Sequence, residues 1–171
     1  MLANPKFTKC LSISIILFLI DQLSKFLIVS NSTLSSGFQI SIIEPILVLK
    51  KIENRGIAFG IDGNGDFSYI FTPLTIILTL AIIVYLYKTS NKNNNLTNLS
   101  LSLILGGALG NLFDRIFSGK VVDFIALFEN IFPFIFNLAD TFITVGMIML
   151  LFSDLVINKN KRNEKESNKN A

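Results

Sequence analysis

From Cys10 to about Ser30 the chain is apolar over a length that a soluble domain rarely offers a place for. Roughly 20 apolar residues are what a helix needs to cross the hydrocarbon core of a bilayer. Comparable runs follow at Phe67 to Tyr87, Leu96 to Phe113 and Ile135 to Ile157. In lipid every backbone N–H and C=O must be satisfied within the segment, so such runs are read as helices. Composition agrees: 51% of residues are hydrophobic, only 16% are charged, and the mean hydropathy is +0.59. A soluble domain of this size carries more charge. The expected fold is an all-α membrane protein with four transmembrane helices, in one domain over residues 1–157. The first run is too long for a signal peptide's apolar region, and no small-x-small cleavage site follows it.

The connections refine this expectation. Between Asn31 and Asp66, Phe38, Ile40 and Ile42 alternate with polar residues, and Ile46 to Leu49 is too short to span. This reads as a small extracytoplasmic β-rich patch lying on the membrane. Pro73 sits in the first turns of the second span, where a missing N–H is best tolerated. Tyr85 and Tyr87 suit the interface at its end. The third run holds Asn98, Ser100, Ser102 and three glycines, but without it the two basic ends of the chain would lie on opposite sides. Nine of the fifteen Lys and Arg fall in the N-terminus, the loop at Lys88 to Asn95 and the tail. The positive-inside rule then puts both termini in the cytoplasm. The tail, residues 158–171, reads as solvated and disordered.

Several chemistries are excluded. The chain has no histidine, so histidine catalysis and the usual zinc or haem ligands are absent. Cys10 is the only cysteine, which rules out an internal disulfide and leaves a thiol without a histidine partner. The formal charge of +3 follows the ends of the spans and does not point to nucleic acid.

The polar residues that remain are concentrated. Gly106 to Asp140 reads GGALGNLFDRIFSGKVVDFIALFENIFPFIFNLAD. Two carboxylates, Asp123 and Asp140, stand among residues suited to lipid, an expensive place for an ionisable group. Under the expected topology Asp21, Lys25, Asn111, Asp114 and Arg115 lie near the outer ends of the first and third helices. Asn137 and Asp140 lie near the outer start of the fourth, with Asp140 on the order of 5–10 Å below the boundary. Asp154 lies at the inner end. Asp21 and Lys25, spaced i,i+4, can form a self-neutralising structural pair or belong to the site. Arg115 can snorkel to the headgroups. The glycines at 106, 107 and 110 suit close helix packing, and the Phe residues from 124 to 136 suit lipid or the interface. Asn137 and Asp140 are expected on one helix face. Two carboxyls that approach each other cannot both ionise cheaply, so one keeps a proton. An anionic member can then deprotonate water while the protonated one hydrogen-bonds a scissile carbonyl. The competing reading is a small proton-coupled transporter or channel, which would place polar groups through the midplane.

The chain resembles the bacterial lipoprotein signal peptidase family, or signal peptidase II. The resemblance rests on Asp21-Gln22-Leu23-Ser24-Lys25, Asn54 to Gly60, Gly106 to Arg115, Val121 to Phe124 and Phe136 to Asp140, in family order. It implies an aspartic endopeptidase of the bacterial inner membrane, with Asp123 and Asp140 catalytic. Asp21, Lys25, Asn54, Gly56, Asn111, Arg115 and Asn137 would support the dyad or position substrate. The implied substrate is a prolipoprotein with a diacylglyceryl-cysteine, cut just before that cysteine. Membrane lipids are the implied surroundings, with no metal or other cofactor and no obligate protein partner. A β-rich cradle and a small mobile helix over the site are implied as well.

Overall fold

The computed structural model describes residues 4–55, 68–92, 94–128, 131 and 134–167, and the side chains of these except Ser68, Asp154 and 156–167. Helix α1 spans Pro5–Ser30. It begins before the apolar run because Asn4 caps it, accepting the Phe7 N–H, and Pro5 fills a first-turn position where its missing N–H costs nothing. Asn31 then caps a short helix α2, Ser32–Ser35. Strands β1, Ile40–Ile43, and β2, Leu47–Asn54, follow, and then helix α3, Ser68–Thr89, with Pro73 inside its early turns. Helix α4, Asn95–Ser118, is capped by Asn94 at its start. Gly119 ends it at φ +69°, a left-handed conformation that costs glycine no Cβ clash. Strands β3, Val121–Leu127, and β4, Ile135–Phe136, precede helix α5, Leu138–Ser167.

Helix α4 is the centre of the bundle, packed by α1, α3 and α5. Its small residues allow this. A methyl group on Gly107 would run into the Ala139 carbonyl of α5, and one on Gly110 into the Asp21 carboxylate of α1. The glycine stripe is thus a packing surface, as its spacing predicts. An apolar cluster of Cys10, Leu86, Leu101 and Leu105 joins α1, α3 and α4. Polar bonds add to it. The Ser14 hydroxyl is 3.0 Å from both the Cys10 and Ser102 carbonyls, and Asn4 donates to the Ser90 hydroxyl.

Among the described residues, three helices are long and apolar enough to cross a membrane: Pro5–Ser30, Tyr69–Thr89 and Asn95–Ser118. The apolar part of α5, Leu138–Ser153, is shorter. Ile16, Leu23, Leu27, Ile77, Leu80 and Leu151 are exposed on the outside of the bundle, where lipid replaces water as the apolar solvent.

The sheet is antiparallel in the order β1-β2-β3-β4. Asn54 pairs with Val121, Ile52 with Asp123, and Ile125 with Phe136. It is larger than the expected patch, because β3 and β4 come from a passage read as a Phe-rich connection. Phe124 is not lipid-facing: it is 5% exposed and packs with Ile28 and Leu34, joining the sheet to α1 and α2. The last helix starts at Leu138 and not at Ile135, since Ile135–Phe136 pairs with β3. It does not stop at Ile157 but runs to Ser167, through Lys, Arg and Glu residues that favour helix.

Candidate active site

Asp140 is in the first turn of α5, and Asn137 is the residue just before that helix. The Asn137 side-chain oxygen accepts the Asp140 N–H at 2.9 Å, and an Asp140 oxygen accepts the Asn137 N–H at 3.3 Å. This is a reciprocal capping box, which fixes the Asp140 side chain against the start of its helix. Asn137 therefore sits at the cap position and does not share a helix face with Asp140, as the i−3 spacing had suggested.

Asn137 is fully buried, and its amide does more than cap. Its Nδ2 donates to Asp123 Oδ1 at 2.7 Å and to Asn111 Oδ1 at 3.1 Å. Asn111 Nδ2 in turn donates to Asp140 Oδ1 at 2.7 Å. Two asparagine amides thus connect the two carboxyl groups. Asp123 comes from β3, whose register with β2 brings Asn54 across to donate to Asp123 Oδ2 at 2.9 Å. Burial pushes the Asp123 carboxyl up from 3.8 to about 6. The Asn54 bond opposes that rise, the charge of Asp140 adds to it, and the Asn137 bond opposes it.

A second layer lies behind this pair. Lys25 Nζ is 2.7 Å from both Asp21 Oδ2 and Asp114 Oδ2, and it donates to Asn111 Oδ1 at 3.2 Å. Asp21 Oδ1 accepts the Ala139 N–H of α5. Gln22 Nε2 lies within 3.2 Å of Asp21, Asp114 and the Gly110 carbonyl. Arg115 Nη1 reaches the Asn111 carbonyl at 3.5 Å, and its charge acts on Asp140, Asp123 and Asp114. Four carboxyl groups thus face two cations. Such an excess of like charge favours a proton held within the cluster.

Asp21, Lys25, Asn54, Asn111, Arg115, Asp123, Asn137 and Asp140 are therefore brought together at one end of the bundle. Gly56 lies outside the described residues. Gln22 and Asp114 join the cluster without having been singled out as site residues. Gln22 was visible as a further polar residue beside Asp21 in an apolar run. Among the described residues, no three His, Cys, Asp or Glu side chains are grouped as a metal ion would need.

Comparison with known proteins gives this arrangement a family. The family described as "Signal peptidase (SPase) II" matches residues 13–156. The chain belongs to the signal peptidase II family. It is 42% identical to the lipoprotein signal peptidase of Shouchella clausii over 88% of this chain and 95% of that one. It is 37% identical to that of Fusobacterium nucleatum over 86% and 87%. A bacterial membrane enzyme solved by the in meso method at 2.3 Å superposes with a TM-score of 0.76 and 32% identity, covering 90% of this chain and 92% of that one. Another, solved at 1.9 Å, gives 0.73 and 31%, covering 86% and 93%. Signal peptidase II membership makes the chain a protease of lipoprotein processing with membrane-spanning helices. The five sequence segments that resemble this family fall within the matched residues.

Proposed function

We propose that the chain is an intramembrane aspartyl endopeptidase. It removes the signal peptide from diacylglyceryl-modified prolipoproteins by cutting before the lipidated cysteine. The observation that carries the reading is the pair of amide bridges, through Asn137 and Asn111, between Asp123 and Asp140. One carboxylate takes a proton from water as its oxygen adds to the scissile carbonyl carbon. The carboxylic acid of the other hydrogen-bonds the carbonyl oxygen, which takes up negative charge. Collapse breaks the C–N bond, and the nitrogen leaves as the new amino terminus with the proton that the first carboxylate took from water. Burial raises the Asp123 carboxyl, which favours the protonated form at that position.

The supporting residues have separate tasks in this reading. Asn54, Asn111 and Asn137 orient the carboxyls. Arg115 balances charge. Asp21 and Lys25 brace the start of α5. The apolar part of α5 is the fourth span, completed by the residues that follow it. Both termini are cytoplasmic, so the aspartates lie towards the outer leaflet, where a lipid-anchored cysteine holds its scissile bond. Exposed Phe38, Ile42 and Ile43 on and before β1 suit a sheet resting on the membrane. No protein partner is required.

The test uses Asp123→Asn and Asp140→Asn in purified protein with a diacylglyceryl-modified precursor, scored by gel shift. Each should lower cleavage at least about a hundredfold. The double variant should be little worse than either, because residues acting as one unit are not additive. Precursor binding should survive. Robust cleavage by either single variant would exclude the aspartyl mechanism.

A further inference from the structure

At the end of the bundle away from the aspartates, a cleft opens between the first turns of α1 and the start of α4. Lys6 and Lys9, spaced i,i+3 on α1, line it with Cys10, Ile13, Asn98 and Leu99. Its volume of about 210 Å³ is far more than one water needs. Lys6 is about 22 Å along α1 from Asp21, so the cleft is separate from the site described above.

Three observations fix the chemistry of its occupant. First, Lys6 and Lys9 are exposed, and neither has an ion-pair partner among the described residues. Two cations on one face at the end of a spanning helix attract an anion at headgroup depth. Second, the deeper lining is apolar. Cys10 is buried, Ile13 is half-buried, and Leu99 is exposed beside them. A free inorganic anion gains nothing from those residues, whereas the glycerol and upper acyl carbons of a lipid would cover them. Third, Asn98 is only 7% exposed, and its side-chain oxygen has no hydrogen-bond partner among the described residues. Its amide nitrogen is held by the Ser90 carbonyl at 2.8 Å, which leaves the oxygen as a buried acceptor without a donor. The phosphodiester of a lipid has no proton to give it at neutral pH. A hydroxyl does.

We propose that this cleft binds the headgroup of an anionic glycerophospholipid. The phosphate lies on Lys6 and Lys9, a headgroup hydroxyl donates to Asn98, and the glycerol backbone lies over Ile13 and Leu99. Phosphatidylglycerol has the required combination of one phosphate and free hydroxyls. Such a lipid would tie the N-terminal turns of α1 to α4 at the membrane boundary.

The test compares dihexanoyl phosphatidylglycerol, dihexanoyl phosphatidylcholine and inorganic phosphate as ligands of the full-length protein in detergent, by thermophoresis. The wild-type chain should bind phosphatidylglycerol about tenfold more tightly than phosphatidylcholine. Lys6→Gln with Lys9→Gln should remove the difference, and Lys88→Gln with Lys92→Gln should keep it. Equal affinity for the two lipids, or a preference that survives the Lys6 and Lys9 changes, would overturn the proposal. Inorganic phosphate binding as tightly as phosphatidylglycerol would also overturn it, assigning the cleft to a free anion.

Discussion

Asp21 accepts the backbone N–H of Ala139 at 2.9 Å, joining α1 to the first turn of α5. That N–H is one of the helix-start donors with no partner inside its own helix. The next residue is Asp140. Asp21 also holds Lys25, which reaches Asn111, and the Asn111 amide donates to Asp140. One carboxylate on α1 thus constrains Asp140 through its backbone and through its side chain.

This arrangement orders two substitutions. Asp21→Asn leaves Lys25 paired with Asp114. Lys25→Met leaves Asp21 and Asp114 buried without the cation that joins them. Removing one partner of a buried ion pair costs about 3–5 kcal/mol. Lys25→Met should therefore lower the detergent Tm more than Asp21→Asn, with cleavage falling in step with stability in both. A Tm equal to wild type in either variant would show that the triad does not brace the bundle. Normal stability with collapsed turnover would instead give these residues a direct part in positioning substrate.

Two glycines separate packing at the site from backbone conformation. An alanine methyl at Gly110 meets the Asp21 carboxylate and lies 3.3 Å from Ala139 Cβ. Overpacking of this kind costs about 1–3 kcal/mol. At Gly119 a methyl meets nothing within 4 Å, but φ is +69°, and that conformation costs an L-residue about 1–2 kcal/mol. Both variants should lose stability by similar amounts, and Gly110→Ala alone should lose most of its turnover per folded molecule. Equal specific activities would mean that the Gly110–Asp21 contact does not position the site.

The sequence made some of this legible for a physical reason. Lipid penalises unpaired charge, so Asp21, Lys25, Asn111 and Asp140 stood out against apolar runs, and they converge in the structure. The glycine stripe was readable because close helix approach requires small residues. Strand β3 was not readable. Val121 to Ala126 is covered on both faces and does not alternate, and its partner β2 lies about 70 residues earlier, so no local pattern marks the pairing. The start of α5 was misplaced because hydropathy continues unbroken through Ile135–Phe136. Asn137-x-x-Asp140 is a capping signature, but inside an apolar run the same spacing also fits one helix face.

Topology is open to direct measurement. By the positive-inside rule, the basic residues Lys6, Lys9, Lys88 and Lys92 favour a cytoplasmic side for the N-terminus and the α3–α4 turn, as proposed above. Compartment-sensitive reporters inserted after Ser36 and after Lys92 should report opposite sides, with Ser36 outside. The same side for both would remove the outer-leaflet placement of the aspartates.

The sharpest prediction concerns the proton on Asp123. Its carboxyl is raised from 3.8 to about 6, chiefly by burial. If the protonated form is the one that hydrogen-bonds the scissile carbonyl, kcat/KM should fall as pH rises through about 6. The apparent value belongs to the coupled pair and not to one residue. Asn54 donates to Asp123 Oδ2 and so stabilises the anion. Asn54→Leu removes that bond, raises the carboxyl further, and should move the falling limb to higher pH while lowering the maximum. Stability follows the same proton. Between 3.8 and about 6 the folded state keeps a proton that the unfolded chain has lost, so the Asp123 contribution declines as pH rises through that window and is level above it. Asn54→Leu should extend the decline upward. The measurements are cleavage rates in detergent from pH 4.5 to 8.5 and thermal unfolding over the same range. An activity limb that stays in place, or moves to lower pH, would mean that Asp123 is not the member of the pair that carries the proton.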